Sequence, residues 1–250
     1  MSPPYGLLIP PGGSWAYWDG DTSKATQSWR NAAADDSSWA RGAAPLGYGH
    51  GSEVTVVNRY NGPYTNKSVL FRKYFDVNDP NAYSTLHLFM QRDDGAVVYL
   101  NGVRVVSDNA SHGSRPYEPD PHPGDGAIRP VPAPNGHTIW QHYSIDPSRL
   151  VIGRNFIAVS VHQSSVADDN LFFDLQLSGE LHPAPPAAID LAGGAVKLNW
   201  SAAYSGWQLQ KSSDLINWFP AAIQPAIEGS NLKYSEPLSG DRCFYRLVSP

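Results

Sequence analysis

The chain has 250 residues, enough for one or two domains with a real hydrophobic core and too few for a large multidomain enzyme. With 22 glycines, 22 prolines and eight tryptophans against only 16% charged residues, the composition excludes a disordered chain and a helical bundle and leaves a turn-rich all-β protein. A net charge of −5 with no basic cluster excludes nucleic acid or an anionic membrane as the main partner, because phosphate recognition needs grouped lysines and arginines.

Met1-Ser2-Pro3-Pro4-Tyr5-Gly6 has no basic segment followed by an apolar one, so no signal peptide is expected in this chain. No apolar window reaches the roughly 18 residues of a membrane span, so no membrane insertion is expected. One cysteine, Cys243, excludes an internal disulfide and any multi-cysteine metal site, and reads as a buried small hydrophobe.

In chain order, the first clear strand is Leu70–Val77, whose period-two pattern turns Phe71, Phe75 and Val77 to one face. Leu86–Met90 is the second, ending at the polar step Gln91-Arg92-Asp93-Asp94-Gly95. Ala96–Leu100 and Val103–Val106 flank Asn101-Gly102, the strongest short-range signal of a β-hairpin, since a type I′ turn needs positive φ at both central residues. Phe156–His162 turns Ile157, Val159 and Val161 inward. Leu171–Leu177 turns Phe173, Leu175 and Leu177 inward and is predicted to be its antiparallel partner. Helical structure is limited to single turns at Asp35–Ser38 and Asp146–Arg149.

Proline-rich residues 182–188 read as a semi-rigid linker between a first domain, 1–181, and a small β-domain, 189–250. The second domain carries short strands at Ala195–Trp200, Gly206–Gln210 and Cys243–Leu247. Two stretches lack any periodic pattern. One runs from Asp108 to Thr138 with seven prolines, four glycines and three histidines; the other runs from Leu46 to Tyr64 and is rich in glycine and tyrosine. Long irregular loops in compact domains serve binding or are disordered.

No Gly-x-Ser-x-Gly elbow, His-Glu-x-x-His helix, phosphate-cradling loop or dinucleotide fingerprint occurs, which turns the reading away from an enzyme. His112, His122 and His137, with Asp108, Asp120 and Asp125, form a candidate metal set in the long loop, although exposed loop histidines are the plainer reading. No metal ligand is assigned. A structural calcium is the one cofactor considered, with Asp19-Gly20-Asp21, Asp35-Asp36 and Asp168-Asp169-Asn170 as candidate positions; the plainer reading is that these residues fill turns.

Aromatic residues are the informative class. A sugar presents an apolar C–H face and a rim of hydroxyls, which an aromatic plate beside Asp, Asn, Arg or His matches. Trp29 and Trp39 read as core, whereas the loop tyrosines are candidates for stacking. His162, with Ser160 on the same face of its strand, reads as a satisfied structural histidine.

Asp35-Asp36-Ser37-Ser38-Trp39, Ala44-Pro45-Leu46-Gly47-Tyr48-Gly49, Phe71-Arg72-Lys73, Asp93-Asp94-Gly95-Ala96-Val97-Val98-Tyr99-Leu100-Asn101-Gly102 and Val161-His162-Gln163 follow one another in an order that resembles the galactose-binding-like jelly-roll modules of large secreted bacterial proteins. Asp35-Asp36-Ser37-Ser38-Trp39 and Asp93–Gly102 are also similar to the non-catalytic sugar-binding β-domain of some glycoside hydrolases. The tail, with Trp207–Gln210, Trp218 and Phe244–Leu247, resembles short C-terminal β-domains of secreted bacterial proteins.

This resemblance implies an antiparallel jelly-roll β-sandwich with a small β-domain behind it, in a secreted or cell-surface protein. It also implies a glycan or polysaccharide as partner, alongside other domains of a longer parent. The expected function is non-catalytic carbohydrate binding, with Tyr48, Tyr60, Tyr64 and Tyr117 stacking on sugar rings while His50, Arg92, Asp93 and Asp94 bond hydroxyls. Two alternatives stay open: a polysaccharide-active or metal-dependent hydrolase using loop 108–138, and an adhesion or spacer module with no small ligand.

Overall fold

A computed structural model describes residues 5–20, 27–61, 64–65, 68–110, 131–133, 135–165, 167–182, 185–238 and 242–248, and the side chains of 27, 28, 60, 61, 64, 65 and 203 lie outside that description. Two compact units divide it, one running to Leu181 and one starting at His182.

The first unit is an all-β sandwich. Its strands are β1 (Tyr5–Ile9), β2 (Ser14–Trp18), β3 (Ala40–Ala43), β4 (Leu46–Tyr48), β5 (Thr55–Val56), β6 (Tyr60–Asn61), β7 (Tyr64–Thr65), β8 (Ser68–Val77), β9 (Tyr83–Asp93), β10 (Gly95–Leu100), β11 (Val103–Asp108), β12 (Gln141–Ile145), β13 (Gly153–His162) and β14 (Leu171–Leu181). One sheet has the order β12-β9-β14-β4-β5, with β1 also on β14; the other has the order β11-β10-β13-β8-β2-β3. Apart from the parallel β4–β5 contact, neighbours in both sheets are antiparallel.

The alternation read from the sequence faces the expected side chains inward. Phe71, Phe75 and Val77 of β8, Leu86, Leu88 and Met90 of β9, Ile157, Val159 and Val161 of β13, and Phe173, Leu175 and Leu177 of β14 form one buried core between the sheets. Phe71 and Phe173 stack across it with centroids 4.3 Å apart. The Asn101-Gly102 hairpin joins β10 and β11, with φ of 49° and 83° at the two turn residues. The pairing of β13 with β14, however, does not occur. β13 lies between β10 and β8, whereas β14 lies in the opposite sheet against β9, β4 and β1. Periodicity reports which side chains face the core, but two strands that face it from opposite sheets carry the same pattern.

The outer face of the β8–β10–β13 sheet carries a second core. Leu70, Val97, Tyr99, Phe156 and Ala158 are covered by buried Trp29 and half-buried Trp39 from the segment between β2 and β3. Arg72 is buried beneath that segment. Its guanidinium donates to the carbonyls of Trp29 and Asn31, to Tyr74 Oη at 2.8 Å and to Asp36 Oδ2 at 3.2 Å. The single turns differ from expectation in part: Pro147–Arg149 is a 3-10 turn capped by Asp146, whereas Asp35–Ser38 is a non-helical turn in which Asp35 accepts from the Ser37 amide.

The second unit has strands β15 (Ala188–Ala192), β16 (Ala195–Ser201), β17 (Gln208–Ser212), β18 (Phe219–Pro220), β19 (Ala226–Glu228), β20 (Asn231–Pro237) and β21 (Phe244–Val248). They form the sheets β15-β16-β20-β19 and β18-β17-β21 around Val196, Leu198, Trp200, Leu209, Leu232 and Tyr234. Cys243 is half-buried and not a core residue, because it precedes β21 instead of sitting in it.

Asp174 ties the β1–β2 turn to β14: both its carboxylate oxygens accept from the Gly12 amide at 3.1 Å, and Oδ1 also accepts from Leu175. Burial raises its pKa above the ordinary carboxylate value, against the pull of those two amides. A raised folded-state value means that the stability Asp174 confers is full below about pH 4 and falls as pH rises through the folded value. Asp174→Asn therefore gains stability relative to the wild type as pH rises from 4 to 7. Urea denaturation at both pH values checks this; a wild-type-to-variant difference that does not change with pH rules it out.

Candidate functional site at the sandwich end

The chain passes from one sheet to the other at Asp93–Gly95, where β9 ends and β10 begins. Arg92, Asp93 and Asp94 are all buried there, Asp93 at 1% and Asp94 at 4% exposure. The strand-end polar step of the sequence is therefore an interior corner, and buried charges must be paired or hydrogen-bonded. Arg92 Nε meets Asp108 Oδ2 at 2.6 Å. Asp108 is the last residue of β11, so the long irregular segment begins one residue later than the sequence reading placed it.

The far end of that segment closes over the corner. The Arg92 amide donates to the Gly136 carbonyl and the Gln91 side chain to the His137 carbonyl. The Ala133 amide donates to Asp94 Oδ1 at 2.8 Å, and Asn109 Nδ2 bridges the carbonyls of Asp94 and Val131. Gly136 passes so close that a Cβ on it would lie 2.1 Å from the Arg92 carbonyl oxygen, which explains glycine there. Ser164, after β13, donates its amide to Asp94 Oδ2.

His50 enters from the other side, on the loop after β4. Gly49 and Gly51 have φ of 91° and 76°, a conformation side chains disfavour, and Glu53 accepts from the His50 amide. The His50 ring stacks on His137 with centroids 3.8 Å apart, and Phe172 meets both rings edge-on. His50 Nε2 lies 2.9 Å from Asp93 Oδ2. Ligand atoms of His50, Asp93 and His137 all lie within 4.8 Å of one another.

The two adjacent carboxyls are set apart by their surroundings. Burial first, then the neighbouring Asp94 carboxyl, pushes Asp93 up to about 8. Burial works on Asp94 in the same sense, but the amides of Ser164 and Ala133 outweigh it and hold Asp94 below the ordinary range. Burial, reinforced by His137, lowers His50. Tyr143, which faces Asp108, is raised by burial and then by that carboxylate.

The structure thus brings together His50, Arg92, Asp93 and Asp94 of the predicted site and adds His137 from the candidate metal set. Tyr48 is corrected: at 6% exposure its ring lies inside, its hydroxyl accepts from Gln163, and it offers no open face to a sugar. The side chains of Tyr60 and Tyr64, and Tyr117, His112, His122, Asp120, Asp125 and Asp21 entirely, lie outside the described residues. Several of the described candidate calcium positions have protein partners. Asp19 accepts from Asn58, Asp36 meets Arg41 and Arg72, and Asp168 accepts from Ser164 and Ser165. His162 bonds Ser160 at 2.8 Å inside the body, as its pattern suggested.

A second group of rings was not singled out in the sequence. On the outer face of the β12-β9-β14 sheet, Tyr5, His87, His142 and Phe89 touch in a row, with centroid separations of 5.5, 5.2 and 4.6 Å. His87 also bonds Glu180 at 3.1 Å. Tyr5 is 55% exposed and His142 is exposed. The alternation in β9 does point His87 and Phe89 away from the core, but only the pairing of Phe89 with His142 and of Tyr5 with Glu180 assembles the row.

No family model and no curated protein matches the chain. Among solved structures it is similar to a Bacteroides uniformis beta-glucuronidase (12% identity, TM-score 0.43, covering 99% of this chain and 28% of that one). Others are a Bifidobacterium dentium beta-glucuronidase complexed with coumarin-3-O-glucuronide (12%, 0.42, 93% and 42%) and an uncultured Clostridium sp. beta-glucuronidase (10%, 0.42, 98% and 44%). The chain spans less than half the length of each, and likeness of this degree carries no argument about activity. No helix among the described residues is long and apolar enough to cross a membrane.

Arg92→Met leaves the half-buried Asp108 carboxylate without its guanidinium partner and is expected to cost about 2 kcal/mol, while the double variant Arg92→Met/Asp108→Leu recovers part of that loss. Chemical denaturation of the three proteins measures both quantities. A single-variant loss below about 1 kcal/mol would mean that the pair does not hold the corner.

Proposed function

We propose that the first unit is a non-catalytic carbohydrate-binding module that anchors a larger protein to polysaccharide, with sugar rings lying on the row Tyr5–His87–His142–Phe89. The observation that carries this reading is the placement of that row on an outer sheet face, with Tyr5 and His142 exposed and His87 and Phe89 half-buried, against the burial of Tyr48. The row lies over β1, β9 and β12, with neighbouring ring centroids 4.6 to 5.5 Å apart, a patch wide enough for a pyranose. Glu180, Ser144 and Gln176 flank it on the same face and offer hydrogen bonds to hydroxyls. Such a mixture of ring faces and polar groups is what a saccharide requires. The resemblance of the sequence motifs to galactose-binding-like modules supports the same conclusion.

Against the hydrolase alternative stands the burial of the corner. Asp93 and Asp94 have separated proton affinities, as an acid–base pair would. They are closed in by residues 131–138 and the His50 loop, so a glycosidic bond has no approach to them. In this reading His50, Arg92, Asp93 and Asp94 hold the corner and do not touch the sugar.

Affinity electrophoresis against a panel of plant, algal and bacterial polysaccharides tests the proposal. Retention on at least one is expected, reduced about 3- to 10-fold by Phe89→Ala and again by His142→Ala, with the circular dichroism spectrum unchanged. Retention on none, or equal retention by both variants, refutes it.

A further inference from the structure

The imidazoles of His50 and His137 and the carboxylate of Asp93 arrive from three separate segments: the loop after β4, the segment before β12, and the end of β9. Their ligand atoms converge within 4.8 Å, with Asp93 buried and both histidines half-buried. Two of the polar atoms there, Asp93 Oδ1 and His137 Nδ1, are buried and have no hydrogen-bond partner among the described residues. Buried polar atoms are almost always satisfied, and an orphaned pair beside two stacked imidazoles points to a missing group. In the tautomer that leaves Nδ1 unprotonated, the ring nitrogen and the carboxylate oxygen can both be satisfied by one cation.

We infer that His50, Asp93 and His137 bind one divalent transition-metal ion of the zinc class. Two imidazoles and one carboxylate suit zinc and its neighbours; calcium, which takes six to eight oxygens, does not fit a set that is two-thirds nitrogen. Ligand atoms of a tetrahedral site lie about 3.3 Å apart, so binding requires the three donors to draw closer together. The site is structural: Asp93 is too enclosed for substrate, and the ion ties the His50 loop and residues 131–138 to the corner. Phe172, edge-on to both rings, supplies an apolar wall.

The site is independent of the glycan row, and its test reads neither sugar retention nor activity. The full chain is stripped with a chelator, dialysed, and equilibrated with zinc, then with cobalt(II). One zinc per chain is expected, with a rise in the thermal midpoint that saturates with zinc concentration. His50→Ala and His137→Ala should each weaken uptake at least about tenfold. His142→Ala, which removes one ring of the exposed His87–His142 pair, should leave uptake unchanged. Because the first two variants alter a buried cluster, cobalt(II) in the wild type gives a second readout: visible d–d bands of a low-coordinate nitrogen and oxygen site. Three results overturn the inference: no stoichiometric zinc, a cobalt spectrum identical to that of the aqueous ion, or zinc uptake undiminished in His50→Ala and His137→Ala.

Discussion

The first unit depends on burying three consecutive charged residues where the chain changes sheets. A β9–β10 connection made of apolar residues would turn the corner without electrostatic demands. Arg92-Asp93-Asp94 imposes them, since each charge brought inside must find a partner or lose its ionisation. Asp108 answers Arg92, the amides of Ala133 and Ser164 answer Asp94, and His50 answers one oxygen of Asp93. The irregular segments of the chain are in this sense recruited by the corner. Residues 131–138 and the loop after β4 carry little apolar surface of their own; the polar groups of the corner hold them.

The two outer faces of the sandwich are treated in opposite ways. One is covered by the segment between β2 and β3, which places Trp29 over Leu70, Val97 and Phe156 and drives Arg72 into an anchoring role beneath it. The other is left open and carries rings and polar groups together. A sheet face presented to water without function is normally polar, because exposed rings gain little from solvent. The row from Tyr5 to Phe89 departs from that rule, and its departure, more than any loop residue, is the basis for assigning recognition to this face.

Asp93 and Asp94 show how strongly position outweighs residue type. They share a side chain and adjoin in sequence, yet two backbone amides are directed at Asp94 and lower its proton affinity while burial raises that of Asp93. A hydrophobic wall, two stacked imidazoles and an orphaned oxygen then surround the latter. This arrangement suits a bound cation and gives no room to a substrate.

The amino-acid sequence by itself determined the all-β class, the inward face of each long strand and the hairpin at Asn101-Gly102, because period-two alternation and positive-φ turn chemistry are local properties of the chain. Phe71, Ile157 and Phe173 are inside for reasons visible within a few residues of each. Which strand lies beside which was decided only by the tertiary structure: β13 and β14 carry the same inward pattern yet belong to opposite sheets. The candidate site was legible in part, since His50, Arg92, Asp93 and Asp94 stand in strand-end and loop sequence. That Tyr48 turns inward, that His137 returns to stack on His50, and that Tyr5, His87, His142 and Phe89 form one row all depend on contacts between residues far apart in the chain, up to the 115 positions between Tyr48 and Gln163, or on strand register, for which no local pattern exists.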